Sequence, residues 1–355
     1  MVLAYATIAI ALFFAMNIGA SGAAATMGPV YGSGALKKKS IALLIAGAGA
    51  LAGAAIGGGE VVKTVGEGII PSNVFSLEVA LVILISATLT LFLANVIGIP
   101  LSTSEVTIGS VVGVGIAFQA LNVNNVLFIV SFWLIVPVTA FVICFISGKV
   151  ILKLEKKWPQ LTGQGKWKKY LALLLIITGF IEAFSAGMNN VANAVGPVVG
   201  AGLMDQSAGV IIGGIFVAAG AVLFGGKVLE TNGKKIISFS LLQGTAVSGT
   251  GGGLVIIASI FGIPVPLTQA TTSGIVGIGC AQNGFQLWQK GLIRKIIKVW
   301  VVSPVISLVM SYSLIHVFLH PNPYMVVLIL AIIIATAGTL SLYKSGKPEQ
   351  ESVQH

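Results

Sequence analysis

The sequence predicts an all-α polytopic membrane protein, built from two inverted-topology repeats with re-entrant or discontinuous helices and about eleven crossings (ten to twelve). Three observations predict it. Of 355 residues, 56% are apolar, 45 are glycine and only 8% are charged, against roughly 25% charged in a soluble domain. That much apolar surface has no place in one soluble core of this size, which excludes a soluble enzyme. The apolar residues come in long tracts joined by short polar segments, at about 20 residues per spanning helix. Three stretches also recur, in order, at a nearly constant offset.

The tracts run Val2 to Leu36, Ile41 to Gly57, Leu77 to Gly98, Val106 to Leu121 and Val126 to Ser147, then Tyr170 to Leu203, Gly209 to Gly225, Leu241 to Gly262, Thr271 to Cys280, Val299 to Phe318 and Tyr324 to Leu342. The first lacks a basic flank and reads as a membrane helix, not a cleaved signal. The first and sixth are about 34 residues long, too long for one simple span, and small and polar residues interrupt them. Each is expected to be a helix followed by a re-entrant or discontinuous piece. Cys144 and Cys280 lie inside apolar runs and imply no disulfide framework.

The net charge of +10 sits in clusters between tracts: Lys37 to Lys39, Lys149 to Lys169, Lys234 and Lys235, Lys290 to Lys298, and Lys344 with Lys347. This pattern sets topology and is not a nucleic-acid surface. With the clusters in the cytoplasm, the N-terminus is outside and the C-terminus inside. The expected divisions are residues 1–147, a first repeat; 148–168, a cytoplasmic Lys-rich linker; 169–319, a second repeat; 320–343, an extra C-terminal transmembrane helix; and 344–355, a cytoplasmic tail.

The repeats are visible directly. The run from Gly28 to Gly34 returns as Gly196 to Gly202, at an offset of 168; TVGEGII from Thr64 matches TNGKKII from Thr231, at 167; GIPLSTSEVTIGSVVGVG from Gly98 parallels GIPVPLTQATTSGIVGIG from Gly262, at 164. Charge fixes their relative orientation. Lys37 to Lys39 follow the glycine motif in the first copy, where the second carries Asp205, the chain's single aspartate; Glu67 corresponds to Lys234. Equivalent loops therefore face opposite sides, as an odd number of crossings per repeat produces. Inverted repeats are the signature of secondary transporters, which hold substrate near the midplane where broken helices of both halves meet.

The interruptions of the long tracts carry Ser21 and Gly22 in the first half and Asn189, Asn190 and Asn193 in the second. Ser and Asn are strong helix N-caps. A half-helix starting at either place would aim free N–H groups and its positive end at an anion. A second pair of breaks carries Ser102, Thr103 and Ser104 before Glu105, and Thr268, Gln269, Thr271 and Thr272 in the other half. Both follow Ile-Pro and precede a small-xxx-small face, so a helix starts there against a close neighbour. Hydroxyls bonded back to their own helix are the structural alternative.

Ionisable residues within apolar tracts are costly, and so are functional candidates for coupling or gating. They are Glu60, Lys63, Glu105, Glu182, Lys227 and Glu230. Glu60 with Lys63, and Lys227 with Glu230, are three apart and can pair on one helix face. Glu105 and Glu182 have no local partner and are the candidates for carrying a proton. No HExxH or P-loop sequence and no Cys/His cluster is present, so no enzyme, metal site or resident cofactor is expected.

The run GMNNVANAVGP, Gly187 to Pro197, resembles the G-x-N-D-x-A-N signature of the inorganic phosphate transporter (PiT) family, and PLSTSE and PLTQATTSG resemble its P-V-S-T-T-H segments. The resemblance covers nearly the whole chain. It implies an anion held between re-entrant elements of two inverted repeats, an elevator-like movement of a transport domain, and a homo-oligomer, dimer or trimer. The departures are specific. The first copy has Ser21, Gly22 and Ala25 at the signature positions, the second has Asn190 for the aspartate, and Glu105 stands where the family has histidine. Hydrogen phosphate carries a proton that a carboxylate can accept, whereas sulfate only accepts and a carboxylate repels it. Donor-only surroundings therefore favour sulfate, and NIGASGAA with ETNGKKI is similar to the CysP-type sulfate permease branch. The expectation is sulfate uptake coupled to H+ or Na+. Phosphate, sulfite or thiosulfate transport, or an anion channel, remain as alternatives.

Overall fold

In the interior of a bilayer the backbone must bond to itself, and long apolar runs that do so form helices. The computed structural model describes residues 1–97, 101–163, 165–234, 240–284 and 291–324, with 326, 327 and 331, and contains no strand among them. Eight of its helices are long and apolar enough to cross a membrane. The expected C-terminal helix and tail, the Gly98 to Pro100 part of one repeat motif and Lys235 to Ile237 of another lie outside the described residues.

The first long tract is discontinuous, as expected. Helix α1 (Val2–Ile18) passes through a widened π turn at Gly19–Ala23 into α2 (Ala24–Thr26). Met27 then leaves helical geometry (φ −85°, ψ 4°), and Pro29 opens α3 (Gly28–Gly32). After a short turn, α4 (Lys39–Gly57) and α5 (Gly59–Lys63) run back. Then come α6 (Leu77–Ile97), α7 (Thr103–Ala117) and α8 (Val123–Lys157). The second half repeats the order: α9 (Trp167–Gly200), α10 (Gln206–Phe224), α11 (Gly226–Lys234), α12 (Leu241–Ile260), α13 (Leu267–Asn283) and α14 (Gly291–Leu314).

The sixth tract departs from expectation. α9 is one continuous helix of 34 residues through Asn189, Asn190 and Asn193, so no half-helix starts there and the asparagines are not caps. Ser21 does not cap either, since its hydroxyl donates to Asn17 O at 2.9 Å, within the first helix. The re-entrant pieces are the hairpins α6–α7 and α12–α13. Asn122 N donates to Ile69 O (2.9 Å) and Asn125 Nδ2 to Gly68 O (2.7 Å), so α7 ends at the level where α6 begins. Gln282 Nε2 donates to Gln243 Oε1 (2.7 Å), closing the second hairpin alike.

The repeats interlock. Gly187 of α9 packs on Ala50 O of α4, and Gly19 beside α1 packs on Val217 O of α10. Gly53 of α4 lies on Phe184 O of α9, and Gly220 of α10 on Met16 O of α1. Each helix thus seats against the other repeat, at equivalent positions. Along α4, Gly49 meets Ala183 and Gly57 meets Met188, so α4 and α9 run the same way. Since α4 turns back from the first helix, the equivalent helices α1 and α9 run oppositely, which is the inversion.

Two contacts mark the pseudo-two-fold axis. Gly22 touches Asn190, its own equivalent at offset 168, and Glu105 bonds to Gln269, its equivalent at offset 164. An axis relating inverted repeats lies in the membrane plane midway between the faces. Both contacts are therefore at the midplane.

Candidate functional site

Asn189, Asn190 and Asn193 sit within about one turn of α9 and project toward the hairpin tips, where each carboxamide does something different. Asn189 is fully engaged. Its Nδ2 donates to Ser259 Oγ (2.9 Å) and Ile263 O (3.0 Å), and its Oδ1 accepts from Val265 N (3.1 Å). It pins the α12–α13 tip. Asn193 Nδ2 donates to Thr103 Oγ1 and Ser104 Oγ, both at 3.2 Å, and so holds the start of α7, while its Oδ1 has no partner among the described residues. Asn190 is 3% exposed and makes no hydrogen bond among them. Its Nδ2 faces Gly22, where a Cβ would come within 3.2 Å.

Asn189→Ala is expected to strand Val265 N and Ile263 O in a dry interior, at about 1 to 3 kcal/mol for each unsatisfied group. Thermal unfolding in detergent should show a marked drop in Tm, and an unchanged Tm would show that the tip is held elsewhere.

The hairpin tips supply hydroxyls as expected. Ser102 caps α7, accepting from Glu105 N at 3.4 Å. Ser104 Oγ lies within donor range of Asn189 Oδ1 (3.3 Å) and Val265 O (3.2 Å). In the other tip, α13 begins at Leu267, and Thr272 bonds back to Thr268 O (2.7 Å). Thr271 donates to Glu182 Oε1 at 2.5 Å and also lies 3.1 Å from Leu267 O.

The two halves of the site differ in filling. On the Asn193 side, carboxamide and hydroxyls occupy the space. On the equivalent side, where Gly22 and Ala25 replace asparagines, a cavity of about 20 Å³ remains, lined by Gly22, Ala25, Thr26, Pro29, Leu267, Thr268, Thr271, Thr272 and Ile275. It holds about one water molecule, which describes a closed site. No carboxylate among the described residues lines it, and the positive end of α13 does. Ser21 and Gln269 are not part of its lining. A larger groove of about 680 Å³ between α7, α8, α13 and α14 is nearly all apolar. Its wall holds few donors, Gln269, Thr272 and Ser273 among them, and includes Glu105, so a dianion entering it would lose its water for little return and meet a carboxyl group.

The two buried carboxylates stand behind these tips. Glu105 is 2% exposed; Gln269 Nε2 donates to its Oε1 and Ser303 Oγ to its Oε2 (3.3 Å). Glu182 is fully buried. The other four ionisable candidates are exposed, near helix ends. Lys63 pairs with Glu60 at 2.8 Å as the spacing predicts, but Glu230 pairs with Lys39 at 2.9 Å instead of Lys227. A lysine 191 residues away displaces the local one.

Sequence reasoning missed Thr26, Ser259 and Ser303. Ser303 had a legible signal: with Ser307 and Ser311 it forms a four-residue-spaced stripe of small residues, and Ser307 and Ser311 receive Gly109 and Gly113 of α7.

Comparison with known proteins adds three findings. The phosphate transporter family matches this chain twice, over residues 18–162 and 155–311, two copies as the internal repeat requires. A relative in Bacillus subtilis (strain 168), sulfate permease CysP, is 53% identical over 350 residues, covering 98% of this chain and 97% of its own length. A solved structure titled the sodium-dependent phosphate transporter superposes with a TM-score of 0.77 over 91% of this chain and 100% of its own, at 23% identity, and so shares the fold.

Proposed function

The chain belongs to the phosphate transporter family, and from that premise we propose that it is a secondary-active sulfate permease working by alternating access. The observation that carries the reading is the midplane cavity lined by hydroxyls and the helix end of α13, with no carboxylate in its wall. Sulfate at neutral pH offers only acceptors, so Thr268 and the N-terminal end of α13 can donate to it, and Thr271 and Thr272 can exchange their own-helix acceptors for it. A hydrogen phosphate would bring a proton with no carboxylate in the wall to receive it. The 53% identity to a relative named sulfate permease supports the same substrate. The anion is held beneath Asn190 and Gly22, among Thr268, Thr271 and Thr272, while Asn189, Asn193, Ser102, Thr103 and Ser104 position the tips around it. The basic clusters support an N-terminus outside and a C-terminus in the cytoplasm.

Labelled sulfate uptake into proteoliposomes tests the reading. Sulfate should be carried and should exchange against internal unlabelled sulfate, a counterflow that a channel does not sustain. Phosphate competing fully while sulfate is not carried would overturn it.

A further inference from the structure

Glu182 lies one hydrogen bond behind the anion cavity, and nothing in the packing calls for a charge there. Its side chain sits between α9, α12 and α13, in space left by Gly251, where a Cβ would stand 3.3 Å from Glu182 Oε1. The ion pairs are Lys39–Glu230 and Lys63–Glu60, so among the described residues no cation answers it. Oε1 takes the Thr271 hydroxyl, and Oε2 has no hydrogen-bond partner among the described residues. α12 offers Ser248 on this side, and α8 brings the Cys144 thiol close enough to feel the carboxylate's charge. α12 has no titratable side chain, α13 has only Cys280 near its far end, and α4 has only Lys39 at its start. Glu105, by contrast, has a donor on each oxygen.

Thr271 joins this carboxyl to the cavity it lines. A hydroxyl has one proton to donate. While Glu182 is ionised, that proton is committed to Oε1 and the cavity faces a lone pair and a nearby negative charge. When Glu182 takes up a proton, its carboxyl becomes the donor to Thr271 Oγ1, and the threonine proton is released from the carboxylate to choose between Leu267 O, 3.1 Å away, and an anion in the cavity, whose charge makes it the stronger acceptor. One protonation thus removes a repulsion and adds a donor at the anion.

We propose that Glu182 is a proton site whose occupancy the bound anion reads through the Thr271 hydroxyl, so that one proton enters with each sulfate. The only bonds made and broken are O–H bonds: hydronium on the entry side gives its proton to the carboxylate and becomes water, and water on the exit side takes the proton back and becomes hydronium. The proposal rests on the sulfate reading and names the coupling ion for that same site.

The test uses full-length protein in proteoliposomes with the membrane potential clamped by potassium and valinomycin. Wild-type protein should accumulate labelled sulfate when the outside is acid. Glu182→Gln, whose carboxamide donates to Thr271 permanently, should accumulate about tenfold less per unit of pH gradient, the equivalent of one proton. Its counterflow rate should no longer change between about pH 6 and pH 8, the range used to probe a carboxyl moved by its surroundings. Thr271→Val should lose the gradient response and Thr271→Ser should keep it, which carries the test if Glu182→Gln does not fold. Gradient dependence like wild type in Glu182→Gln or in Thr271→Val overturns the proposal, as does wild-type accumulation driven by sodium and indifferent to pH. If wild-type counterflow of sulfate fails, the functional reading falls and this proposal with it. If counterflow succeeds and the variants respond to pH as wild type does, only the coupling falls.

Discussion

Sulfate uptake by Asn190→Asp is expected to fall by about three orders of magnitude. Asn190 has no hydrogen-bond partner among the described residues, touches Gly22 of the cavity wall and lies on the axis where the repeats meet. Aspartate keeps its shape but exchanges two donors for a negative charge. Two unit charges about 4 Å apart at an effective dielectric near 20 repel by about 4 kcal/mol, and each 1.4 kcal/mol is tenfold in affinity. Asn190→Ala removes a donor without adding a charge, and its loss should be only about 10- to 100-fold, the worth of one hydrogen bond to a charged acceptor. Uptake at low labelled sulfate, compared among the three proteins, checks both. Aspartate behaving like alanine would place the anion away from Asn190.

Gly53→Leu and Gly187→Leu should each yield no monodisperse protein. At both positions the neighbouring backbone carbonyl, Phe184 O or Ala50 O, lies where a Cβ would have to go. A carbonyl within a helix cannot rotate aside as a side chain can, so α4 and α9 must separate along their length. Helices in a bilayer associate through such close approach, there being no water to drive them together. Separation would also expose the asparagine cluster, which α9 carries two residues beyond Gly187. Gly253→Ala on α12 is the contrast, because nothing lies within 4 Å of the added methyl, and alanine favours a helix by about 1 kcal/mol over glycine. Size-exclusion profiles in detergent separate the outcomes. A monodisperse Gly187→Leu would mean that the interface is looser than its backbone contact.

How much of this was legible in the sequence depended on the range of the interaction concerned. The tracts, their repeat and its inversion follow from local composition and charge, and the fold carries all three within the described residues. Residue types at the site were also visible, since Asn, Ser and Thr are conspicuous in apolar surroundings. Their partners were not. Asn189 and Asn193 were expected to break α9 because asparagine competes for its own backbone. Their carboxamides instead bond to the tips of two hairpins 70 or more residues away, which leaves the helix uninterrupted. A helix of about 51 Å then exceeds the roughly 30 Å apolar core, and its first residues, Trp167 to Lys169, are of types that suit an interface. The pairing of Glu182 with Thr271 spans 89 residues, and no spacing rule reaches it. Glu230 shows the same limit, since its three-residue neighbour was the evident partner and a lysine of the other repeat took its place.

The axis contacts bear on what a fused pair of repeats can do that two separate copies cannot. In a dimer of identical chains, whatever stands on the axis meets itself. Glu105 would face another glutamate and the pair would have to share a proton, or Gln269 would face glutamine and the centre would hold no charge. Likewise Asn190 would meet asparagine and close the hole that Gly22 leaves. Covalent linkage of the copies lets each half drift alone, so a donor can face an acceptor and a bulky residue an empty place. The asymmetry of the centre is then the gain from carrying both halves on one chain: a hollow in one copy against a plug in the other, with a carboxyl group answered by an amide.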